Sequence, residues 1–449
     1  MEILRGIKTG KLKTVRHVLL QFICLLGLIV ILIIMTGCNP SPEPQFRFNR
    51  VALLKQEKND LAEGERFSNA YQSEIGDILT ALYGTPNEPR FPFLLGEEDP
   101  AHDVLSLNNL QLAAGPVAAD RLEKTAGLYR EHCSHCHGIT GDGAGGTAAS
   151  LEPYPRDFRL GKFKFKSTPL RRMPTNDDLT RILKNGIPGT AMPSFRTLPD
   201  NEIAALVDYV KYLTIRGQHE RRLIAELSNL DNAPILDFKL LADADEEGQP
   251  IDEEMKAENT ETFEAQLYTV VGEYLAEDII PRWVDPDDEI SEVNNAPAGF
   301  QSKHPAHSAL LQTGKDLFYG KANCVQCHGE TGLGDGQTAN YDDWTNDWLK
   351  TIGVDVNQPA TYQDFMMAGA LHPRPIRPRN LRTPIFRGGN LPSDVYRRIA
   401  NGIEGTPMPS SPTLTTDEIW ALVSYVKSLP FEDQGSPENE LPVNDRIVD

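Results

Sequence analysis

The sequence is short of cysteine, of positive charge and of strand-like patterning, and each shortage removes a class of protein. Six cysteines occur in 449 residues. Four sit in two short motifs, Cys24 lies within an apolar stretch and Cys38 just beyond it, so none remains for a structural disulfide even in an oxidising compartment. Lys and Arg number 44 against 64 Asp and Glu, a net charge of -20. Such a field disfavours nucleic acid and anionic lipid surfaces as partners and favours a protein with a basic docking face. No convincing run of alternating apolar and polar residues is present, which argues for a mainly α chain.

What is present begins with Cys133-Ser134-His135-Cys136-His137 and Cys324-Val325-Gln326-Cys327-His328, two copies of C-x-x-C-H. Two thiols three positions apart on one turn can each add to one vinyl group of the same porphyrin, and the next imidazole then lies beneath the iron. A thioredoxin-like C-x-x-C or half of a zinc site would use the cysteines but leaves a histidine at the fifth position, twice, without a purpose. The motifs predict two covalently bound haems c. Cys133, Cys136, Cys324 and Cys327 are the attachment points, and His137 and His328 the proximal ligands. His132 directly precedes the first motif and His135 lies inside it, and His135 is expected to face solvent.

The N-terminus indicates the compartment. Val18 to Thr36 is uncharged and follows Arg5, Lys8, Lys11, Lys13 and Arg16, with Glu2 the one acidic residue, a net +4 before Cys38. This is the pattern of an export signal over residues 1–37, which places the rest of the chain on the extracytoplasmic, periplasmic side. The stretch is long enough to remain as a helical anchor. Met35-Thr36-Gly37-Cys38 resembles the lipobox of bacterial lipoproteins, so a lipid on Cys38 is the favoured attachment to the membrane.

An internal repeat sets the architecture. Residues 184–213 match the segment 216 positions later, through Asn-Gly-Ile-x-Gly-Thr-x-Met-Pro-Ser and on to Tyr209-Val210-Lys211 and Tyr425-Val426-Lys427. Ile203, Leu206, Val207, Val210 and Leu213 recur as Ile419, Leu422, Val423, Val426 and Leu429, one apolar helix face in each copy. Thr175-Asn176-Asp177-Asp178 is a helix start before Leu179, with Ser393 to Ala400 as its counterpart. Leu122 to Tyr129 and Leu310 to Phe318 supply a helical stripe before each motif.

Over residues 120–214 and 306–430 this order resembles class I c-type cytochrome domains. The resemblance implies a small α bundle around each haem and a distal methionine, carried here by Met192 and Met408, which superpose in the repeat; Met173 is the rival in the first copy. The organisation expected is an export segment (1–37), an N-terminal spacer (38–118), a first haem domain (119–217), an acidic linker with a short helix around Phe263 to Leu275 (218–304), a second haem domain (305–431) and a C-terminal tail (432–449). The spacer is read as helical from Val51 to Tyr83.

Gly141-Asp142-Gly143-Ala144-Gly145-Gly146 satisfies G-x-G-x-x-G, but no strand precedes it, so a loop is the simpler reading. The second copy is longer between its histidine and methionine. The extra residues, 341–376, include Trp344, Trp348, Met366, Met367 and His372 and read as a docking flap, a cover over the haem edge or a plain surface insertion. The expected function is electron relay between extracytoplasmic redox partners such as an oxidase, a dehydrogenase or a quinol-oxidising complex. A dihaem peroxidase is the alternative.

Overall fold

The computed structural model describes residues 43–93, 99–117, 126–231, 233–244, 249–337, 339–349 and 353–432. The export segment, Cys38, Leu122 and nearly all of the tail lie outside these residues. Among the described residues the chain is helical, with two isolated β-bridges, Gly84 to Pro89 and Ala244 to Pro250. The mainly α class expected from the sequence is the one found. No helix among the described residues is long and apolar enough to cross a membrane.

The N-terminal part forms α1 (Arg50–Asp60), α2 (Asn69–Tyr83), the single turn α3 (Ala101–Val104) and α4 (Leu107–Ala113). The one helix read from Val51 to Tyr83 is two. The chain turns at Gly64, φ +90°, and Ser68 restarts the helix by accepting the Ala70 N–H. The first repeat follows as α5 (Leu128–His132), α6 (Ser134–His137), α7 (Asn176–Asn185) and α8 (Asp200–Glu226). The cap of α7 is the one the sequence indicates, with the Asp178 N–H donating to Thr175 Oγ1 at 3.0 Å. Beyond Leu213, α8 continues because Ile215, Leu223 and Ile224 extend its buried stripe.

In the linker, α9 (Glu253–Leu267) widens into a π-helix over Tyr268–Ile279, whose Val270, Val271, Leu275 and Ile279 are buried. The second repeat gives α10 (His307–Tyr319), α11 (Val325–His328), α12 (Asp343–Leu349), α13 (Gln363–Met367), α14 (Pro392–Asn401) and α15 (Thr416–Ser428).

Three apolar clusters hold these elements. The first joins Leu53, Ile75, Leu79, Tyr83 and Leu110 to Leu206, Tyr209 and Tyr212 of α8 and to the buried face of the π-helix. Residues read as a spacer thus share the core of the first repeat. The second unites α10, α14 and α15 through Phe318, Tyr396, Trp420 and Leu422. The third joins Leu54 of α1 to Trp348, Leu349, Tyr362 and Phe365. The insertion of the second repeat is therefore packed on the N-terminal helix, and Asp347 anchors it there by pairing with Lys55 at 2.9 Å and with Arg221 of α8 at 3.2 Å.

A polar group inside the first cluster makes folding sensitive to acid. Fully buried His219 lies between the Tyr83 hydroxyl, 3.0 Å from Nδ1, and the Val270 carbonyl, 2.9 Å from Nε2. The carbonyl can only accept, so Nε2 carries the proton and Nδ1 accepts from tyrosine. Burial, helped by nearby Arg216, pulls His219 down to about 4 although its bond to Val270 opposes the shift. The unfolded chain takes up this proton near pH 6.5. Stability contributed by the neutral ring is therefore present above about pH 6.5 and lost as pH falls towards 4, roughly 3 kcal/mol in full. Urea unfolding of the native protein at pH 7 and pH 5 should show the loss, and His219→Gln should flatten it; an equal slope in both proteins would refute this assignment.

Candidate haem sites

Each C-x-x-C-H stretch forms one helical turn, closed by His137 and His328 N–H groups donating to the Cys133 and Cys324 carbonyls at 2.9 Å. The residue after each histidine must be glycine. Gly138 and Gly329 have φ +74° and +78°, and a Cβ there would stand 2.1 and 2.0 Å from Asp142 and Asp335 Oδ1. The chain then folds back, and Gly143 and Gly334 donate to the His137 and His328 carbonyls at 2.9 and 2.8 Å. The glycine-rich loop, as expected, is a turn around the imidazole and has no strand before it.

The two imidazoles are held alike. His137 Nδ1 lies 3.1 Å from the Arg156 carbonyl and His328 Nδ1 3.1 Å from the Arg379 carbonyl. Nδ1 therefore carries the proton, and Nε2 keeps the lone pair a metal would use. Burial pulls His137 down to about 4 and lowers His328 as well, in both cases against the backbone bond, so each ring is neutral as a ligand must be. Phe158 stacks on His137 with ring centroids 4.7 Å apart. Burial also pushes the Cys133 thiol up to about 12 and Cys324 to about 11. A thiol-redox centre needs the opposite shift. Arg156 and Arg379 were not singled out from the sequence. Their signal was the recurrence of Pro155-Arg156-Asp157-Phe158 as Pro378-Arg379-Asn380-Leu381.

The methionine loops are also built twice. Thr190 Oγ1 donates to the Ile187 carbonyl at 2.8 Å and accepts the Met192 N–H at 3.2 Å; Thr406 does the same for Ile403 and Met408 at 2.7 and 3.2 Å. Ile187 and Ile403 N–H groups close the loops onto the Met192 and Met408 carbonyls, both at 3.1 Å. Gly186 and Gly402 pass so close beneath that a Cβ on either would sit 2.6 Å from the proline after the methionine.

A cavity in the first domain brings Cys133, Cys136, His137 and Met192 onto one wall system. Met173 is instead buried in the core, its carbonyl accepting from Thr168 Oγ1 at 2.8 Å. In the second domain Cys324 and Met408 pack, half-buried, against the Phe318 and Phe386 cluster, and the His328 ring centroid is 6.4 Å from that of Phe318. His135 is exposed, as expected; His132 is half-buried beside Phe195.

The rest of the first cavity was not legible locally, because Trp344, Trp348 and Leu371 of the second repeat line it. Arg156, Lys164 and Arg387 add a cationic wall. Burial pulls Arg156 down to about 9 and Lys164 to about 7, with Asp342 only partly offsetting the cost. Three cationic side chains beside an apolar slot fit an apolar macrocycle that carries carboxylates at one edge. Thiols three apart, a neutral imidazole with a free Nε2 and a thioether on the same cavity fit haem c.

Known proteins agree with this reading. Residues 120–210 match the family described as Cytochrome C oxidase, cbb3-type, subunit III, and residues 311–430 match the Cytochrome c family. The chain is 32% identical over 101 residues to Cytochrome c55X of Paracoccus denitrificans (strain Pd 1222), spanning 22% of this chain and 79% of that protein. Among solved structures, a chain of the Kuenenia stuttgartiensis reducing HAO-like protein complex aligns with a TM-score of 0.42 at 25% identity, over 68% of this chain and 94% of that one.

Proposed function

Because the chain belongs to the c-type cytochromes and carries two cytochrome c domains in tandem, we propose that it is a dihaem electron carrier working between extracytoplasmic redox proteins. Covalently bound haem c is the cofactor of such domains, and electron transfer their chemistry. Haem supplies a one-electron couple at its iron. On this reading Cys133, Cys136, Cys324 and Cys327 would hold the two groups, with His137 and Met192 as the iron ligands of the first and His328 and Met408 as those of the second.

The observation that carries the proposal is the double construction of the methionine loop, with the same threonine, isoleucine and glycine contacts in both copies. A carrier needs both axial positions filled by protein at both irons, whereas a peroxidase needs one open or exchangeable position. Methionine as the distal ligand also raises the reduction potential. The proposed partners are an oxidase, a dehydrogenase or a quinol-oxidising complex with a basic docking face, met at a membrane to which a lipid on Cys38 ties the chain.

The intact mass of protein purified from its native membrane tests these assignments together. It should contain two haems that survive denaturation and a lipidated Cys38 as the first residue. Cys133→Ser with Cys136→Ser should remove one haem and keep the other. One haem or none in the unaltered protein overturns the dihaem reading, and an unprocessed Met1 replaces the lipid with a helical anchor.

A further inference from the structure

The two haem sites meet at one side chain. Trp344, in α12 of the second repeat, lines the cavity that holds His137 and Met192. Its indole Nε1 donates to the Asp157 carbonyl at 3.2 Å, and the Arg156 guanidinium lies over its ring, 4.1 Å from the centroid. Arg156 is the residue whose carbonyl accepts from His137 Nδ1. The other edge of the indole faces the Met408 loop. A Cβ built on Gly405 would be 2.9 Å from Cη2 and Cζ3 of Trp344 and 3.5 Å from Nη1 of Arg156. Gly405 has φ +74°, and its carbonyl accepts the Asp343 N–H at 3.4 Å, which fixes α12 to that loop. Contact thus runs from the proximal histidine of one site, through Arg156 and the indole, to the distal methionine loop of the other.

We propose that Trp344, positioned by Arg156, is the bridge for electron transfer between the two haem sites of one chain. The inference rests on the dihaem reading above. In the step, the reduced iron of one site goes from the +2 to the +3 state and the oxidised iron of the other from +3 to +2. One electron moves, with no bond made or broken and no proton transferred, driven by the difference between the two reduction potentials. Tunnelling decays faster across gaps than through atoms in contact, and the indole fills what would be a gap between the sites. Charge supports the same placement. Lys162 pairs with Asp343 at 2.6 Å and Lys164 lies 5.1 Å from the indole centroid, so two further cations of the first repeat contact the start of α12. The methionine loops reinforce the contact, since Arg387 donates to the Gly189 carbonyl at 3.3 Å and Lys166 pairs with Glu404 at 2.5 Å.

The experiment is flash photoreduction of the full-length holoprotein by less than one electron equivalent, followed in the visible range and by freeze-quenched paramagnetic resonance, which reads the two ferric haems separately. Unaltered protein should show a redistribution phase whose rate does not depend on protein concentration, and Cys133→Ser with Cys136→Ser should abolish it. In preparations that retain both haems, Trp344→Ala should slow that phase by about tenfold or more, as loss of a positioned contact does. Trp344→Phe, which keeps a ring over Arg156, should recover part of the rate. Gly405→Ala, which pushes the indole off the Met408 loop, should slow it independently and covers the case in which Trp344→Ala fails to fold. An unchanged rate in variants that retain two haems overturns the bridge and leaves the carrier reading standing; a single haem in unaltered protein overturns both.

Discussion

Met192→Ala and Met408→Ala are each expected to remove about half of the sulfur-to-iron charge-transfer band of the oxidised protein, lower the potential of one haem and let carbon monoxide bind that haem when reduced. The expectation follows from two loops that present the thioether by the same contacts. In each, the threonine hydroxyl fixes the methionine N–H, and the isoleucine N–H fixes its carbonyl. Alanine keeps those backbone bonds, so the loop should stay folded while the ligand is lost. Met173→Ala provides the contrast. Met173 is 5% exposed and packed in the first core, so its truncation should cost about 2–5 kcal/mol of stability and leave the band intact. Loss of the band on that change would mean that Met173 holds the first iron. Peroxide turnover by unaltered protein, with a high-spin or bis-histidine iron, would overturn the proposed carrier function in favour of an enzyme.

Gly314→Ala should be the most damaging conservative change in the second domain. At this point α10 crosses α15, and a Cβ on Gly314 would lie 2.1 Å from the Ala421 carbonyl oxygen and 2.8 Å from Tyr425 Cβ. Both obstacles belong to a helix whose residues 419–426 are buried, so the helices must part rather than a side chain swing aside. Overpacking of this kind costs about 3 kcal/mol. Since helix propensity alone would favour alanine by about 1 kcal/mol, the sign of the measured change separates the two effects. Chemical denaturation of the holoprotein that finds the variant as stable as the parent would show that the crossing is looser than described.

The parts of this molecule that were legible in the sequence are those with local causes. Thr175 and Asp178 announce α7 by a reciprocal cap, and the apolar stripe from Ile419 to Val426 announces α15 by its period. The haem motifs and methionine loops declare themselves because the chain states them twice. What escaped depends on contacts between distant segments. The break at Gly64 falls inside a pattern that otherwise reads as helix. Residues 38–118 look like a spacer because nothing local shows that Ile75 and Leu110 pack against α8. The insertion gave one hint, two of the four tryptophans placed four positions apart in Trp344 and Trp348. No periodicity says which surface such rings will cover, and here it is the neighbouring repeat's pocket. The Pro-Arg carbonyls that hold both imidazoles were within reach, since the dipeptide occurs in both repeats, but a carbonyl has no signature of its own.

The borrowed wall has a consequence for how the protein is made. Synthesis runs from the N-terminus, so the first haem motif leaves the ribosome before Trp344 does. During that interval the first pocket has an open side, through which a porphyrin and the machinery that attaches it could reach Cys133 and Cys136. Arrival of α12 then closes the pocket, docked by Asp347 onto Lys55 and Arg221. Attachment at the first motif should therefore precede completion of the second repeat, and a chain ending before residue 340 should keep its haem but leave it exposed to solvent and small ligands. Two carriers joined by a tether could be cut apart and each would still work; in this molecule the later half is the outer wall of the earlier one.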